Sequence, residues 1–247
     1  MARLYRFTHR AIELVQDEHG STSDSIEDST IPAEISLANL TMFSTILFIT
    51  EFRKMGLGDS VDISKTCNMS EWYRRIYAGT GGQLISDEEE YVDVLTLPSK
   101  PTSQAGLIYA TTNRPDEEGD KKEAFTAFLF AHHKPALPKT APSSTGSTQG
   151  PSPEAQALVS TYGVTHIWLC GSSPEQRRQR LMSQCLSHLE KDVLEWKTSG
   201  QGSGVLTVHT IPEAFPGMVQ FLSNNGFKGG NKVVGGDNGK VLYWKEL

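Results

Sequence analysis

Residues 164–190 read VTHIWLCGSSPEQRRQRLMSQCLSHLE, and a change of period inside this stretch decides the fold. Val164 to Cys170 is apolar and rich in β-formers, which suits a buried strand. Gly171, Ser172, Ser173 and Pro174 are expected to turn the chain. Beyond them Leu181, Cys185, Leu186 and Leu189 recur at helical spacing. An amphipathic helix is therefore expected from Pro174, with Ser173 as its cap and the proline in first position. Arg177, Arg178 and Arg180 then crowd its first turn and a half, where the helix dipole is already positive. Like charge is unfavourable there unless an anion shares the site. A strand feeding an anion-seeking helix start is the strongest functional signal in the chain.

Composition narrows the choices. At 247 residues and 27.2 kDa the chain is long enough to bury a sizeable core. A mean hydropathy of −0.35 leaves room for long loops. The net charge of −6 argues against a surface built for nucleic acid. Cys67, Cys170 and Cys185 show neither metal-ligand spacing nor a disulfide framework; Cys170 and Cys185, on the apolar strand and helix, read as small buried hydrophobes, and reduced thiols in an intracellular compartment are expected. MARLYRFTHRAIELV lacks the apolar core of a secretory signal, and the most apolar run, Leu40 to Phe52, is too short to span a bilayer. A cytoplasmic protein with no membrane, metal or nucleic-acid partner is expected.

The other elements follow from pattern. Arg3 to Thr8 suits a strand, leading into a short helix through Ala11, Leu14 and Val15. Residues 17–32 are acidic and rich in Ser and Thr, as in an exposed loop. Leu37 to Met55 predicts an apolar helix closed by Gly56 and Gly58, and Ser70 caps another over 71–78. GTGGQ at 79–83 lacks the Lys-Ser/Thr of a phosphate loop and reads as a turn. Strands are expected at 91–97, 106–111 and 123–133, with the mixed-charge run 114–123 as a hairpin loop. Pro135 to Pro153 reads as a Pro/Ser-rich surface loop within one domain spanning 1–247. A strand over Val205–His209, a helix over Pro216–Asn224 ended by Asn225-Gly226, and a hairpin of Asn231–Val234 with Val241–Lys245 complete the chain.

The order strand, Pro174-Glu175-Gln176-Arg177, helix, strand, helix closed by Asn225-Gly226-Phe227, hairpin resembles the GNAT superfamily of N-acetyltransferases over about residues 105–247. The resemblance implies an α+β fold with a mixed, mostly antiparallel central sheet, a splayed central strand pair and flanking helices. It also implies acetyl-CoA as cofactor. In the family the splayed strand bonds the pantetheine, and an Arg/Gln-x-x-Gly-x-Gly/Ala signature holds the pyrophosphate on backbone N–H groups. Arg177 falls at the Arg/Gln position, so Cys170, Gly171, Ser172, Arg177, Arg178, Gln179, Arg180, Leu181 and Met182 are implied to bind cofactor. Arg180 and Met182 stand where the family has small residues. Leu222 stands where many members place a tyrosine that protonates the thiolate.

The implied function is acetyl transfer from acetyl-CoA to the primary amine of a small molecule or peptide. The two departures support a second reading, a catalytically degenerate member that serves as a binding or interaction protein. An active member needs a base for the ammonium, and central-strand histidines are the candidates: His166, His209 and His133, with His132 beside the last. Glu213 is a weaker one. Strand alternation predicts that His166 and Trp168 share one face and Ile167 and Leu169 the other. The resemblance places Trp72, Tyr73 and Tyr77 on the acceptor side, although core packing is the better explanation for them. The C-terminal hairpin, at a sheet edge, is placed to pair with a second copy as a homodimer.

Overall fold

The computed structural model describes residues 2–7, 12–16, 31–36, 39, 40, 42–44, 46, 47, 107–113, 123–134, 137, 150–232 and 241–247. The expected helix at 71–78, the turn at 79–83, the strand at 91–97 and positions 135, 136 and 138–149 of the Pro/Ser-rich loop lie outside them.

The strands are β1 Arg3–Phe7, β2 Ile12–Gln16, β3 Leu107–Asn113, β4 Ala124–Lys134, β5 Val164–Ser172, β6 Val205–Thr210, β7 Lys228–Lys232 and β8 Val241–Glu246. Between them lie the helices α1 Pro153–Tyr162, α2 Leu181–Thr198 and α3 Pro216–Asn224. Among the described residues the strands form one sheet in the order β2-β1-β3-β4-β5-β6-β8-β7. Every pairing is antiparallel except β5 with β6. The β5–α2–β6 crossover supplies the length that a parallel connection needs.

Each face of the sheet is covered. On one, Cys185, Leu186, Leu189 and Val193 of α2 pack over Leu129, Ile167, Leu206 and Val208, joined by Leu222 and Phe227. On the other, Tyr5, Phe7, Phe125, Phe128 and Phe130 pack with the helical residues Leu40, Phe43 and Leu47. A fully buried Leu or Phe contributes about 1.5–3 kcal/mol, so the two layers hold the central strands in register. The mixed, mostly antiparallel sheet flanked by helices matches the expectation.

Several local expectations are corrected. Ile12–Gln16 is a strand rather than a helix. Ile12 and Leu14 pack on the aromatic layer while Val15 packs on the opposite one. That is a period of two, and so short a segment gains more from sheet pairing than from nucleating a helix. Gly171 and Ser172 do not turn the chain; they extend β5, opposite Phe128 and Ala127. Pro174–Gln176 is a single 3-10 turn, and Ser173 makes no side-chain cap. The helix proper begins seven residues later than Pro174, at Leu181, because Arg178 (φ 67°) and Arg180 (φ 61°) adopt left-handed backbone that no α-helix accommodates. Pro153 is the first residue of α1 rather than part of a loop. Ser152 Oγ accepts from Ala155 N at 3.2 Å, and the Ser-Pro-Glu triplet is its sequence signal. Finally, β7 starts at Lys228 rather than Asn231.

Alternation also fails inside β5. Leu169 lies opposite Phe130 and Ile167 opposite Ala131, which leaves Trp168 as an extra residue in a β-bulge. The parity of the strand flips there. Ile167 faces α2, whereas Trp168 and Leu169 both join the aromatic layer.

Candidate functional site

Strands β5 and β6 pair at three positions, Thr165 with Leu206, His166 with Thr207 and Ile167 with Val208. Both continue past that point with other partners. Leu169 to Ser172 stay on β4, and His209 and Thr210 stay on β8. The pair therefore parts after Ile167, at the bulged Trp168. From there to Ser172 the β6-facing edge of β5 has no strand partner among the described residues. Backbone N–H and C=O groups on such an edge are obligatory hydrogen-bonding groups that a ligand can use.

The open half of β5 runs into the loop before α2. Ser173 N still donates to Thr126 O (2.8 Å), which carries the β4 pairing to the loop. Arg177, Arg178, Gln179 and Arg180 are exposed in it, whereas Leu181 is buried and Met182 half-buried in the first turn of α2. The earliest intrahelical bond runs from Gln184 N to Arg180 O (3.0 Å), and the N-cap Arg180 makes no side-chain capping bond. A guanidinium has no acceptor, so it cannot cap the N–H groups at positions 181–183. An 18-residue helix thus presents an uncapped N-terminus beside three arginines. Cys170 packs toward α2, and burial pushes its thiol up to about 12, too high for a nucleophile at neutral pH. Gly171 lies beneath Leu47, and Ser172 is half-buried.

At the parting point a row of three imidazoles crosses the sheet. His132 is the register partner of His166, and His166 that of Thr207. Ring centres are 5.5 Å apart for His132 and His166, and 4.8 Å for His166 and His209. The His166 Nδ1 lies 2.9 Å from the Thr207 hydroxyl. Burial, followed by the charge of Lys134 and the neighbouring His209 and His132, holds His166 well below the ordinary histidine range. Burial and Lys134 pull His132 down to about 4. His132 and His166 are therefore neutral at physiological pH. Among the described residues no three His, Cys, Asp or Glu side chains are arranged to hold a metal ion.

His133 stands apart from the row. It lies against Gly163, where a Cβ would come within 2.4 Å of its ring carbon, and burial lowers its pKa. Sheet parity explains the difference, since His132 is in phase with Phe128 and Phe130 and His133 is not. Of the candidate bases, His166 and His209 are brought together with His132. Glu213 is exposed after β6, and Leu222 is the buried residue of α3. Thr207 is the site residue that strand pattern alone did not single out. Trp72, Tyr73 and Tyr77 lie outside the described residues.

No protein-family model matches the chain, and no curated protein matches it. Solved structures of acetyltransferases do. An N-acetyltransferase, paia, from Thermoplasma acidophilum in complex with coenzyme A is 11% identical, with a TM-score of 0.43 over 85% of this chain and 92% of that one. A GNAT-family acetyltransferase from Listeria monocytogenes is 15% identical, with a TM-score of 0.39 over 89% and 93%. Arabidopsis thaliana NAA60 in complex with a bisubstrate analogue is 14% identical, with a TM-score of 0.39 over 72% and 93%. Likeness of this degree describes those proteins; the reading of this chain rests on its own strands, loop and histidines.

Proposed function

We propose that the chain is an acetyl-CoA-dependent N-acetyltransferase that acts on a primary amine by direct acyl transfer. One observation carries the reading: the β5–β6 pair opens halfway along, directly onto the uncapped, arginine-flanked start of α2. An extended ligand with amide groups fits the open strand edge, and a pyrophosphate fits the helix N-terminus. Cys170, Gly171 and Ser172 would border the first part of such a ligand. Arg177, Arg178, Gln179, Arg180, Leu181 and Met182 would border its phosphates. Acetyl-CoA would supply the thioester. The protein's own part is to position the amine, keep it unprotonated and polarise the carbonyl with strand N–H groups. His209 and His166 are the bases nearest the open strands, and His133 is the base on the opposite face.

The acceptor in this reading is a small-molecule or peptide amine and the compartment the cytoplasm, with residues 1–247 as one acyltransferase domain. Strand β7 at the sheet edge offers a surface for a homodimer. Among the described residues no helix is long and apolar enough to cross a membrane. A second reading, a binding protein that has lost catalysis, is favoured by the Arg180 and Met182 side chains beside the helix start and by Leu222.

Calorimetry with coenzyme A, followed by a thiol-release assay over a panel of amines, tests both. The first reading expects micromolar to millimolar binding and thiol release. Arg177→Ala should weaken binding about tenfold, as loss of a charge-assisted phosphate bond does. Binding without turnover on any amine would favour the second reading, and absence of binding would sink both as statements about coenzyme A.

A further inference from the structure

The chain holds two serines followed by proline and glutamate, Ser152-Pro153-Glu154 and Ser173-Pro174-Glu175. Their hydroxyls are used differently. Ser152 Oγ caps α1, accepting from Ala155 N at 3.2 Å and donating to the Glu246 carboxylate at 2.8 Å. Ser173 Oγ caps nothing, and among the described residues it donates only to its near neighbour Glu175. Its backbone is extended (φ −50°, ψ 135°), as a residue before proline prefers. Ser173 itself is half-buried, but Pro174 to Arg180 is exposed except for the half-buried Gln176. Few bonds tie this loop down. After Ser173 N to Thr126 O come two turn bonds, Gln176 N to Ser173 O (3.0 Å) and Arg177 N to Pro174 O (3.5 Å). Arg178, Gln179 and Arg180 donate no backbone bond to another described residue. A surface segment so loosely bonded opens locally at small cost.

Ser173 also stands four, five and seven residues before Arg177, Arg178 and Arg180. We propose that Ser173 is a phosphorylation site for a proline-directed protein kinase, and that its phosphate takes the place in the arginine loop that belongs to the pyrophosphate of coenzyme A. The second half rests on the acyl-transfer reading. In the modification the Ser173 hydroxyl oxygen attacks the γ-phosphorus of ATP. The new O–P bond forms and the bond from that phosphorus to the β–γ bridging oxygen breaks. ADP leaves, and the hydroxyl proton passes to the base of the kinase.

Charge sets the consequence. Positions 173–182 carry Arg177, Arg178 and Arg180 against Glu175, a net charge of +2. A phosphoserine brings about −1.5 to −2 at neutral pH and so cancels it. The same change removes the hydroxyl donor that Glu175 accepts. Carboxylate and phosphate then repel, while the guanidinium groups turn toward the phosphate. Ser173 follows directly on the last residue of β5, so a phosphate there stands between the open strand edge and the start of α2. Ser152 cannot act in this way, since its hydroxyl borders Glu246 and no Lys or Arg follows it before Arg177.

Mass spectrometry of the full chain after incubation with ATP and a proline-directed kinase tests the first half. Phosphate is expected on Ser173 and should be absent from that segment in Ser173→Ala; a chain left unmodified at 173 overturns the site. Phosphoserine encoded at 173 during translation tests the second half without a kinase. Calorimetry should show coenzyme A binding about tenfold weaker than to the unmodified chain. Equal affinity would overturn the switch and leave acyl transfer standing. Phosphorus-31 NMR reads the pairing with no cofactor present. The Ser173 phosphate should titrate at lower pH in the folded chain than in urea, and Arg177→Gln with Arg178→Gln should raise the folded midpoint. Equal midpoints overturn the pairing. An unmodified chain that binds no coenzyme A instead sinks the acyl-transfer reading, on which the phosphate titration does not depend.

Discussion

A methyl group in place of the Gly171 hydrogen would lie 2.8 Å from Cδ2 of Leu47. The open half of β5 and the helical layer above it therefore touch through a glycine. Gly171→Ala should destabilise the protein by about 1 kcal/mol, since overpacking outweighs the entropy gained by removing a strand glycine. Leu47→Ala alone should cost about 2 kcal/mol or more. The double variant should be less destabilised than the sum, by about 1 kcal/mol. Denaturant unfolding of the four proteins measures this, and strict additivity would show that the two residues do not meet.

The histidine row makes stability depend on pH. His132 has a folded-state pKa of about 4, below its ordinary 6.5, so the unfolded chain binds more protons between those values. Stability is then complete above pH 6.5, falls as pH drops through the window, and stops falling on this account below about 4. His166, shifted in the same direction, adds to the loss. His132 alone is expected to contribute about 3 kcal/mol across the window. Urea unfolding at a series of pH values should show the decline, and His132→Phe should make it shallower. A midpoint flat from neutral pH down to about 4.5 would contradict the burial of these rings.

Arg178 and Arg180 hold positive φ that costs an L-residue about 1 kcal/mol each. Arg180→Gly should release that strain and raise the unfolding free energy by up to about 1 kcal/mol, whereas Arg180→Ala should not. If the guanidinium meets phosphate, Arg180→Gly also weakens coenzyme A binding and lowers its salt dependence. Equal stabilisation by both substitutions would place the gain in the lost charge rather than the backbone.

These arginines also show what the sequence could and could not reveal. Apolar runs at β3, β4, β5 and β6 and the 3.6-residue spacing of Leu181, Cys185 and Leu189 made the sheet and α2 legible, because burial of one face dictates both patterns. The start of α2 was not legible. Ser173-Pro174 is a good local start signal, and only the left-handed backbone at Arg178 and Arg180 defers the helix to Leu181. Strand β2 went the other way, its five residues too few to separate a period of two from one of 3.6. At the site, His166 and His209 were visible as strand histidines. His132 was separable from His133 only by parity with Phe128 and Phe130. Thr207 carried no signal, since its partner lies on another strand.

The extra residue at Trp168 has a consequence for anyone who would alter this groove. Positions must be counted from the bulge and not from the start of β5. Diversity placed at Leu169 and Gly171 would be sampled in the layer beneath Leu47, whereas Cys170 would answer to α2. A library laid out on unbroken alternation would place the half of its substitutions meant for the pocket in the opposite layer.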